Sequence, residues 1–344
     1  MKTAVVILNW NGQKFLKKFL PNVIKYSKNY AEIIIADNAS TDNSISFLQK
    51  NFPEIKIIKF DENFGFAEGY NKALEQIDAK YFILLNSDVD VTEHWIEPVI
   101  EMMEKDEKIA ACQPKILSYS EPEKFEYAGA AGGFIDKFGF PFCRGRVFQS
   151  LEIDNGQYDD ATEIFWATGA CLFVKAELYK NIGGFDNDFF AHMEEIDLCW
   201  RLKNAGFKII YCPDSKIYHV GGGTLPKSSY IKNYLNIRNN IIMLYKNLPK
   251  NRLIYTFFVR IILDFIASFK FLFDSGFLSF FAVYKAHFNF YRNIKKHTVK
   301  RKNNFYTYRK EKNKLSKIYN RNIAIDYFLL NIRKFSDLKT KNFN

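Results

Sequence analysis

The sequence has 344 residues, 48% of them hydrophobic and 25% charged, which is enough for one large domain or two modest ones and excludes a disordered tail. Its formal net charge of +11 is distributed unevenly. Residues 1–225 carry 24 Lys and Arg against 33 Asp and Glu, a net of −9, whereas residues 226–344 carry 25 against 5, a net of +20. This asymmetry argues against one uniform module and indicates an anionic partner, either nucleic acid or a membrane surface.

The cysteines and the lack of phosphate-binding motifs exclude further classes. Five cysteines without a C-x-x-C pair predict neither a disulfide framework nor a zinc site, and they fit a reducing cytosol. The apolar run after the first residues is too short for a signal peptide and has no cleavage site. Neither G-x-x-x-x-G-K-[ST] nor G-x-G-x-x-G occurs, so P-loop and dinucleotide-binding fingerprints are missing.

Short apolar runs alternate with helical patterns in the first part of the chain. The predicted strands are residues 4–8, 32–36, 55–60 and 81–85, and the predicted helices are residues 13–27, 44–50, 67–77 and 93–105. Continuous apolar runs separated by helices predict a parallel sheet that is buried on both faces. Such sheets bind ligands at the carboxyl ends of their strands.

Three polar clusters lie at these predicted strand ends: residues 9–12 (NWNG), 37–42 (DNASTD) and 86–90 (NSDVD). Each alone is explained by a turn or a helix cap, but three on one edge of a sheet favour a ligand site. Asp88 and Asp90 directly follow a buried strand, and their oxygens suit Mg²⁺ or Mn²⁺ beside a diphosphate.

A second group of candidate residues follows in the middle of the chain. Glu194, Glu195 and Asp197 open a predicted helix, where acidic residues are favoured as simple caps. Because Phe and Met flank Glu194 and Glu195, partial desolvation would raise their pKa values toward that of a general base. His219, which precedes a run of glycines, is either a structural histidine or a metal ligand.

The basic part of the chain differs in kind. Residues 230–246 predict a helix, and residues 253–291 are rich in Phe, but their longest charge-free stretch is the ten residues 275–284. Because a bilayer span takes about 20 apolar residues, we expect amphipathic helices at a membrane interface instead of a spanning helix. A helical subdomain packed on the front of the chain, or an oligomer interface, is the alternative. Nucleic acid is disfavoured, because no known module is present and the acidic front would repel it.

Five motifs in order along the chain resemble those of the family 2 glycosyltransferases. They are NWNG at 9–12, DNASTD at 37–42, NFGFAEGYN at 63–71, LNSD at 85–88 and EEIDLCWR at 194–201. The set is most similar to the rhamnosyltransferase-like branch of bacterial surface-polysaccharide synthesis and covers about residues 3–225. The resemblance implies an α/β GT-A fold, that is, a Rossmann-like mixed sheet flanked by helices, followed here by a helical, basic and aromatic C-terminal extension.

The resemblance also implies roles for individual residues. Asn86-Ser87-Asp88 stands in place of the D-x-D motif, and Glu195 stands where the catalytic base, typically Asp, is found, with Glu194 as the lesser candidate. The implied donor contacts are Asn9, Asn11, Asp37, Asn38, Asn71, Asn86 and Ser87, the implied acceptor contacts are Trp166, Thr168 and Gly169, and the implied metal ligands are Asp88, Asp90 and His219.

Together these features predict a metal-dependent inverting glycosyltransferase with Mn²⁺ or Mg²⁺ as cofactor, a UDP- or dTDP-linked sugar as donor and a saccharide or lipid-linked saccharide as acceptor. Residues 1–225 would form the catalytic domain, and residues 226–344 a helical region at the inner face of the cytoplasmic membrane or between protomers. An inactive homologue that anchors an assembly is one alternative, because Asn86 replaces an Asp. A sugar-phosphate nucleotidyltransferase is another, although residues 9–12 lack its Gly-rich, basic phosphate loop.

Overall fold

The structure is a computed structural model that describes residues 3–221, 230–305 and 315–344. In these residues the strands are β1 (Thr3–Asn9), β2 (Glu32–Asp37), β3 (Lys56–Lys59), β4 (Tyr81–Asn86), β5 (Val89–Val91), β6 (Ile109–Ser118), β7 (Gly133–Asp136), β8 (Pro141–Cys143), β9 (Arg146–Val147), β10 (Ser150–Leu151), β11 (Thr162–Ile164), β12 (Cys171–Lys175), β13 (Lys208–His219) and β14 (Ile318–Tyr319). The α-helices are α1 (Gln13–Ser27), α2 (Ser44–Asn51), α3 (Gly65–Glu75), α4 (Glu97–Lys105), α5 (Ala176–Asn181), α6 (Glu194–Asn204), α7 (Tyr230–Asn247), α8 (Lys250–Ser275), α9 (Phe277–Arg292), α10 (Ile294–Asn303) and α11 (Ile323–Phe328).

A mixed sheet of nine strands forms the centre of the described chain. Its order is β11-β13-β6-β12-β4-β1-β2-β3, and β5 pairs with the end of β13. The neighbours from β3 to β4 are parallel, whereas β12 runs antiparallel to both β4 and β6. Because β13 is parallel to β6, the ends of β1, β2, β4 and β13 meet the start of β12 at one edge of the sheet. The α/β mixed-sheet fold expected from the sequence is confirmed.

Both faces of this sheet are buried, as its apolar strands predict. One face packs on α1, α2 and α4, and the other packs on α3, α5, α6 and α7. Alternate residues of β1 show this division: Val5 packs on the face covered by α1, α2 and α4, and Val6 packs on the opposite face. The predicted helix at 13–27 has the observed bounds of α1, whereas the helix predicted from residue 93 begins only at Glu97, where Pro98 occupies the first turn.

A second sheet of five strands, in the order β10-β9-β8-β7-β14, lies beside the first in the described residues. The sequence analysis did not predict it, because its strands are two to four residues long and carry no readable periodicity. Strand β14 comes from the C-terminal region and pairs in parallel with β7. That region is therefore mainly helical, as expected, but its last part also completes a sheet of the front half.

Buried Asp136 at the end of β7 joins these two parts of the chain. Its carboxylate accepts hydrogen bonds from the backbone N–H groups of Phe138 and Phe140, both at 2.9 Å, and from that of Ile323 at 3.0 Å. Burial raises the pKa of Asp136 to about 7 despite these three donors. Ile323 begins α11, so the carboxylate fixes the start of that helix against β7.

The helices α7 and α10 dock on the front half through ion pairs. Asp186 is paired with Lys246 and Lys300, and Asp188 accepts from Lys300 at 2.7 Å. Asp197, which the sequence analysis left as a helix cap, is fully buried and accepts from Arg201 at 2.9 Å and Lys246 at 3.0 Å. Part of the positive charge after residue 226 is thus neutralised by carboxylates of the acidic front.

The predicted division near residue 225 and the last glycines before it lie outside the described residues, so the domain boundary stays a prediction. All five cysteines are free and buried. Among the described residues, none of the helices combines the length and the apolarity that crossing a bilayer requires.

Candidate active site

The ends of β1 and β2 are held together by polar side chains. Asn9 and Asp37 are register partners, and the Asn9 amide donates to Asp37 Oδ1 at 3.0 Å. The Ser40 N–H donates to Asp37 Oδ2 at 3.0 Å. Since a carboxylate has about four lone-pair positions, Asp37 keeps acceptor capacity for a ligand.

Asn11 and Asn38 shape the loops around this pair. Asn11 Oδ1 accepts from the Thr41 N–H at 2.7 Å, which ties the β1 loop to the β2 loop. The Asn38 amide donates to the carbonyl of Gly65 at 2.9 Å, and its oxygen accepts from the Phe64 N–H at 3.0 Å. Both side chains therefore position backbone: Asn11 holds the β2 loop, and Asn38 holds the start of α3.

Gly12 is required by the close approach of Asn9. A Cβ atom at position 12 would collide with Asn9 Oδ1 and would come within 3.4 Å of Ser87 Oγ. Asn9 Oδ1 is buried and has no hydrogen-bond partner within the described part of the chain. The register partner of Leu8 is Asn86 at the end of β4, so Asn9, Asp37 and Asn86 lie at the ends of three adjacent strands.

Asp88 and His219 face each other where β5 meets β13. His219 Nε2 lies 3.2 Å from Asp88 Oδ1, and both side chains are nearly buried. On its other side, His219 Nδ1 lies 3.1 Å from Glu126 Oε2. Burial disfavours the charged imidazolium, but the two carboxylates outweigh it and raise the pKa of His219 to about 10. The Asp88 carboxyl is also desolvated, yet His219 holds its pKa below the usual value.

The Asp88–His219 pair fits a divalent cation by its chemistry. A carboxylate oxygen and an imidazole nitrogen suit Mn²⁺ better than Mg²⁺, which prefers oxygen alone. In the described residues no three His, Cys, Asp or Glu side chains form a metal-binding group, so other ligands would come from a bound diphosphate and water. Asp90, predicted as a third ligand, is engaged elsewhere: its Oδ1 accepts from Asn22 of α1 at 2.8 Å.

Glu194 and Glu195 begin α6 after a strained turn. His192 and Met193 have φ angles of 70° and 71°, a left-handed backbone conformation that residues other than Gly rarely adopt. Within the described residues, Glu194 Oε2 and Glu195 Oε2 are buried without a hydrogen-bond partner. Strained backbone and unsatisfied carboxylates in one turn are features that cluster at functional sites.

The two glutamates differ in how easily they ionise. Burial raises the pKa of Glu195 to about 7. Burial and then the charge of Glu195 raise the pKa of Glu194 further above its usual value. Because the two carboxyls lie in one buried turn, they titrate as a pair, in which the charge of one disfavours ionisation of the other.

The acidic turn is joined to the sheet edge through α3 and the loop before β12. The Phe66 N–H donates to the Phe190 carbonyl at 2.7 Å, and a Cβ at Gly65 would overlap the Phe190 ring. A Cβ at Gly169 would lie 3.0 Å from the ring of Phe66. The N-termini of α3 and α6 and the start of β12 therefore converge at the edge that carries Asn86.

Three residues predicted to bind substrate have their polar groups occupied inside the protein. Asn71 donates to the Phe185 carbonyl at 2.8 Å and to Asn187, and its oxygen accepts from Tyr179 and from the Phe185 N–H, so its hydrogen-bonding capacity is filled. The Trp166 indole is buried and donates to the Phe134 carbonyl at 2.9 Å. Thr168 is buried as well, and its hydroxyl accepts from the Ala170 N–H at 3.2 Å. We interpret these three as supports of the site.

Two residues beside the site were missed by the sequence analysis. Glu126 is distant from His219 in sequence and belongs to no motif, so only the fold reveals their contact. A Cβ at Gly221, which has a φ of 70°, would lie 2.6 Å from Glu126 Oε1, so glycine is needed here. Phe190 is 47% exposed directly before the acidic turn. The sequence did contain a signal for Phe190, because it shows an aromatic residue four positions before the acidic pair.

The fold and the site define a glycosyltransferase of the GT-A type. The family model described as "Glycosyl transferase family 2" matches residues 4–183, more than half of the chain. The chain therefore belongs to glycosyl transferase family 2, and the resemblance to that family and its rhamnosyltransferase-like branch is confirmed.

Curated relatives agree with this assignment. The chain is 24% identical over 233 residues to the N-acetylglucosaminyl-diphospho-decaprenol L-rhamnosyltransferase of Mycobacterium tuberculosis, which covers 62% of this chain and 75% of that protein. It is 23% identical over 222 residues to the rhamnosyltransferase WbbL of Escherichia coli K12, which covers 62% of this chain and 82% of that protein.

Solved structures show the same fold. GalNAc-T7 with UDP, GalNAc and Mn²⁺ aligns with a TM-score of 0.54 at 16% identity, over 72% of this chain and 48% of that chain. The mannosyltransferase PcManGT of Pyrobaculum calidifontis, in complex with GDP-Man and Mn²⁺, aligns with a TM-score of 0.52 at 12% identity, over 89% of this chain and 87% of that chain.

Proposed function

We propose that this protein is a metal-dependent, inverting glycosyltransferase that moves a sugar from a nucleoside-diphosphate donor to a saccharide or lipid-linked saccharide during cell-surface polysaccharide synthesis. The observation that carries the proposal is the buried, unpartnered carboxyl pair at the start of α6, which the Phe66–Phe190 hydrogen bond joins to the sheet edge of Asn9, Asp37 and Asn86. Family membership and the rhamnosyltransferase relatives support the reaction class and the kind of acceptor.

In this proposal the nucleoside binds over the ends of β1 and β2. Asp37 accepts from the base or the ribose, and Asn9 presents its unsatisfied Oδ1 beside it. Asn11 and Asn38 hold the two loops, while Asn86 and Ser87 at the end of β4 approach the diphosphate. The donor is a UDP- or dTDP-linked sugar, and the donor screen described below distinguishes the two.

Asp88 and His219 would hold Mn²⁺ or Mg²⁺, and Glu126 would orient His219 through its other ring nitrogen. The cation would neutralise charge that develops on the departing diphosphate. Neighbouring structures that contain Mn²⁺ support the use of a divalent cation. Asp90 is left out of this ligand set because Asn22 holds its carboxylate.

Glu195 serves as the general base. The acceptor hydroxyl attacks the anomeric carbon, its proton passes to the Glu195 carboxylate, and the nucleoside diphosphate leaves from the opposite face with the bonding electrons. The product therefore has the inverted configuration, and no covalent enzyme intermediate is formed. Glu194 is the lesser candidate for this role, and because its ionisation is coupled to that of Glu195, variants of both residues are compared below.

The acceptor would reach Glu195 beside Phe190 and Gly169. A lipid-linked acceptor is favoured because the mycobacterial relative is named for an N-acetylglucosaminyl-diphospho-decaprenol substrate. Such an acceptor places the reaction at the inner face of the cytoplasmic membrane, where the basic region after residue 226 would meet anionic lipid. We propose no nucleic-acid partner. The alternative role of the C-terminal helices is self-association, which light scattering would test.

The test compares the purified protein with Glu195→Gln and Asp88→Asn in the presence of Mn²⁺. Nucleotide sugars are first screened by thermal shift, because a bound donor raises the unfolding temperature in proportion to its affinity. With the stabilising donor we expect Glu195→Gln to lower donor turnover by about 10²–10⁴-fold while its thermal shift remains. Glu194→Gln is the matched control, with a much smaller loss.

The competing reading, an inactive homologue that anchors an assembly, makes the opposite prediction. It is favoured by Asn86, which replaces one carboxylate of the usual D-x-D motif. Turnover of the wild-type protein no faster than that of both variants, with any of the screened donors that bind, would establish the inactive homologue and refute the transferase.

A further inference from the structure

In the helical hairpin formed by α8 and α9, helix α8 buries polar residues, and both helices leave large apolar residues exposed. The buried residues of α8 are Thr256, Arg260, Asp264 and Ser268, each 2% exposed or less and spaced by one helical turn. In an ordinary surface helix this buried stripe would be apolar. The polarity of α8 is thus inverted relative to a helix that faces water.

The buried polar groups are satisfied within the protein. Arg260 donates to Asp264 Oδ1 at 2.9 Å, to the Phe138 carbonyl at 3.0 Å and to Asn240 at 2.6 Å. His287 of α9 lies 3.1 Å from the other oxygen of Asp264. This network fastens the hairpin to the turn after β7 and to α7, and it needs no contact with solvent.

Most of the exposed side chains of the hairpin are apolar, although Lys270, Asp274 and Lys285 are exposed there as well. Side chains between 40% and 84% exposed recur there at spacings of three and four residues, and they are Ile254, Tyr255, Phe258, Ile261, Ile262, Phe265, Ile266, Phe269, Phe273, Phe277, Leu278, Phe281, Tyr284, Phe288 and Tyr291. We call these residues the outer face. The ring centroids of Phe265 and Tyr284 lie 6.4 Å apart, which joins the two helices into one surface.

This surface is larger than a water-exposed face should be. With roughly 100 Å² from each half-exposed large side chain, the outer face exceeds the few hundred Å² that soluble monomers usually leave exposed. No other element in the part of the chain that the structure describes covers these side chains.

Charge selects the occupant of the outer face. Residues 230–305 contain only two acidic residues, Asp264 in the buried network and Asp274, which is paired with Lys270. Arg252, Arg292 and Lys295 are exposed on the hairpin or directly after it. A second copy of the chain would bring like charges together. Anionic phospholipid supplies acyl chains for the outer face and negative headgroups for the basic residues.

We infer that the outer face of the α8–α9 hairpin is embedded in the interface of an anionic phospholipid bilayer, so that the protein is held by inserted side chains as well as by charge. The inference rests on the proposed membrane association and makes it specific.

The test measures cosedimentation with phosphatidylcholine vesicles that contain or lack phosphatidylglycerol. The variant Phe258→Asp/Phe273→Asp changes two outer-face side chains that are 65% and 84% exposed, so the fold should be retained. We expect its partitioning to anionic vesicles to fall by about tenfold or more. The control, Leu151→Asp/Ile153→Asp, changes exposed apolar residues in β10 and directly after it and should bind as the wild type does.

Salt distinguishes insertion from electrostatic adsorption. At about 1 M NaCl, where the Debye length is about 3 Å, binding of the wild type should persist in large part. A fluorophore on Phe273→Cys should show a blue shift on vesicles, whereas one on Ile153→Cys should not, and selective labelling is feasible because the native cysteines are buried.

Three results would overturn the inference: vesicle binding equal in the outer-face variant and the wild type, binding abolished by salt, or an outer-face variant that turns a dimer into a monomer without affecting vesicle binding. Donor binding by thermal shift is measured in parallel. If the outer-face variant keeps donor binding but loses vesicles, the hairpin is separated from the catalytic site, and failure of the proposed function would appear in the donor assay alone.

Discussion

At the scale of single residues, the raised pKa of Glu195 sets the pH dependence of the reaction. A carboxyl with a pKa of about 7 is protonated below that pH and cannot accept the hydroxyl proton. We expect kcat/KM to rise about tenfold per pH unit below pH 7 and to level off above it. The measurement is a pH–rate profile at saturating metal, with donor binding checked to be constant over the same pH range.

The control for this profile is Glu195→Asp, which keeps a carboxylate but shortens its reach. It should retain a pH-dependent rate at a lower plateau. A wild-type profile that is flat from about pH 5.5 to pH 8 would exclude a buried glutamate as the base.

Glu126 is expected to act on the cation through His219. Removing a hydrogen-bonding carboxylate behind a metal-binding histidine typically weakens the metal by about 10–100-fold. We therefore expect Glu126→Gln to reduce Mn²⁺ affinity by that range, measured by the paramagnetic resonance of free Mn²⁺ without any turnover. Glu123→Gln, at an exposed position of the same segment, should leave the affinity unchanged; equal affinity in all three proteins would remove Glu126 from this role.

The location of the candidate site could be predicted from the sequence more easily than the role of each residue in it. The motifs brought Asn9, Asp37 and Asp88 to one edge of the sheet, because strand ends are readable from the hydrophobic pattern. They could not show that the hydrogen bonds of Asn71 all go to Tyr179 and the loop at Phe185, since an Asn that binds a ligand and an Asn that holds a loop look the same in sequence. Glu126 had no local signal at all.

At the scale of elements, the ion pairs that join α7 to α6 and to the segment before it hold the catalytic turn in place. Lys246 is 2% exposed and contacts both Asp186 and Asp197. Burial opposes ionisation of Asp186, but Lys246 and Lys300 outweigh it and keep the pKa of Asp186 well below its usual value. Removing Lys246 leaves two buried carboxylates short of a partner.

We expect Lys246→Met to lower the free energy of unfolding by about 3–5 kcal/mol, measured by urea denaturation. Lys296→Met is the control, because the Lys296 side chain is 58% exposed and its pair with Asp188 contributes at most about 1 kcal/mol. If both variants lost the same small amount, the buried cluster would not be what docks α7.

The elements themselves were readable where they are long. Helices α1 and α7 and strands β1, β2 and β4 match their predicted positions within two residues, because periodicity over seven or more residues, or a full apolar run, is unambiguous. The strands of the second sheet were not readable, since two- to four-residue strands depend on partners far away in the chain.

At the scale of the whole molecule, the last thirty residues belong to the structural core of the front half. Phe335 and Phe343 pack on Phe134 and Phe142, with ring centroids 4.9 to 6.4 Å apart. Deleting residues 315–344 should therefore expose this cluster and strip β14 from β7. We expect a lower unfolding temperature and increased binding of a hydrophobic dye.

Leu329→Ser is the control for this deletion, because Leu329 lies in the same segment but is 76% exposed. It should unfold as the wild type does. A truncated protein as stable as the full chain would mean that the second sheet does not depend on β14. The same result would support treating residues 226–344 as a separable region, as the charge asymmetry alone suggested.

The contact between Asp136 and Ile323 joins residues that are 187 positions apart, and this separation imposes an order on biosynthesis. Since ribosomes add about 5–20 residues per second, Asp136 exists for roughly 10–40 s before its last hydrogen-bond donor is made. The entire α8–α9 hairpin emerges within that interval. Lipid can thus meet the outer face while β7 still lacks its partner β14, so membrane contact can precede completion of the second sheet in the nascent chain.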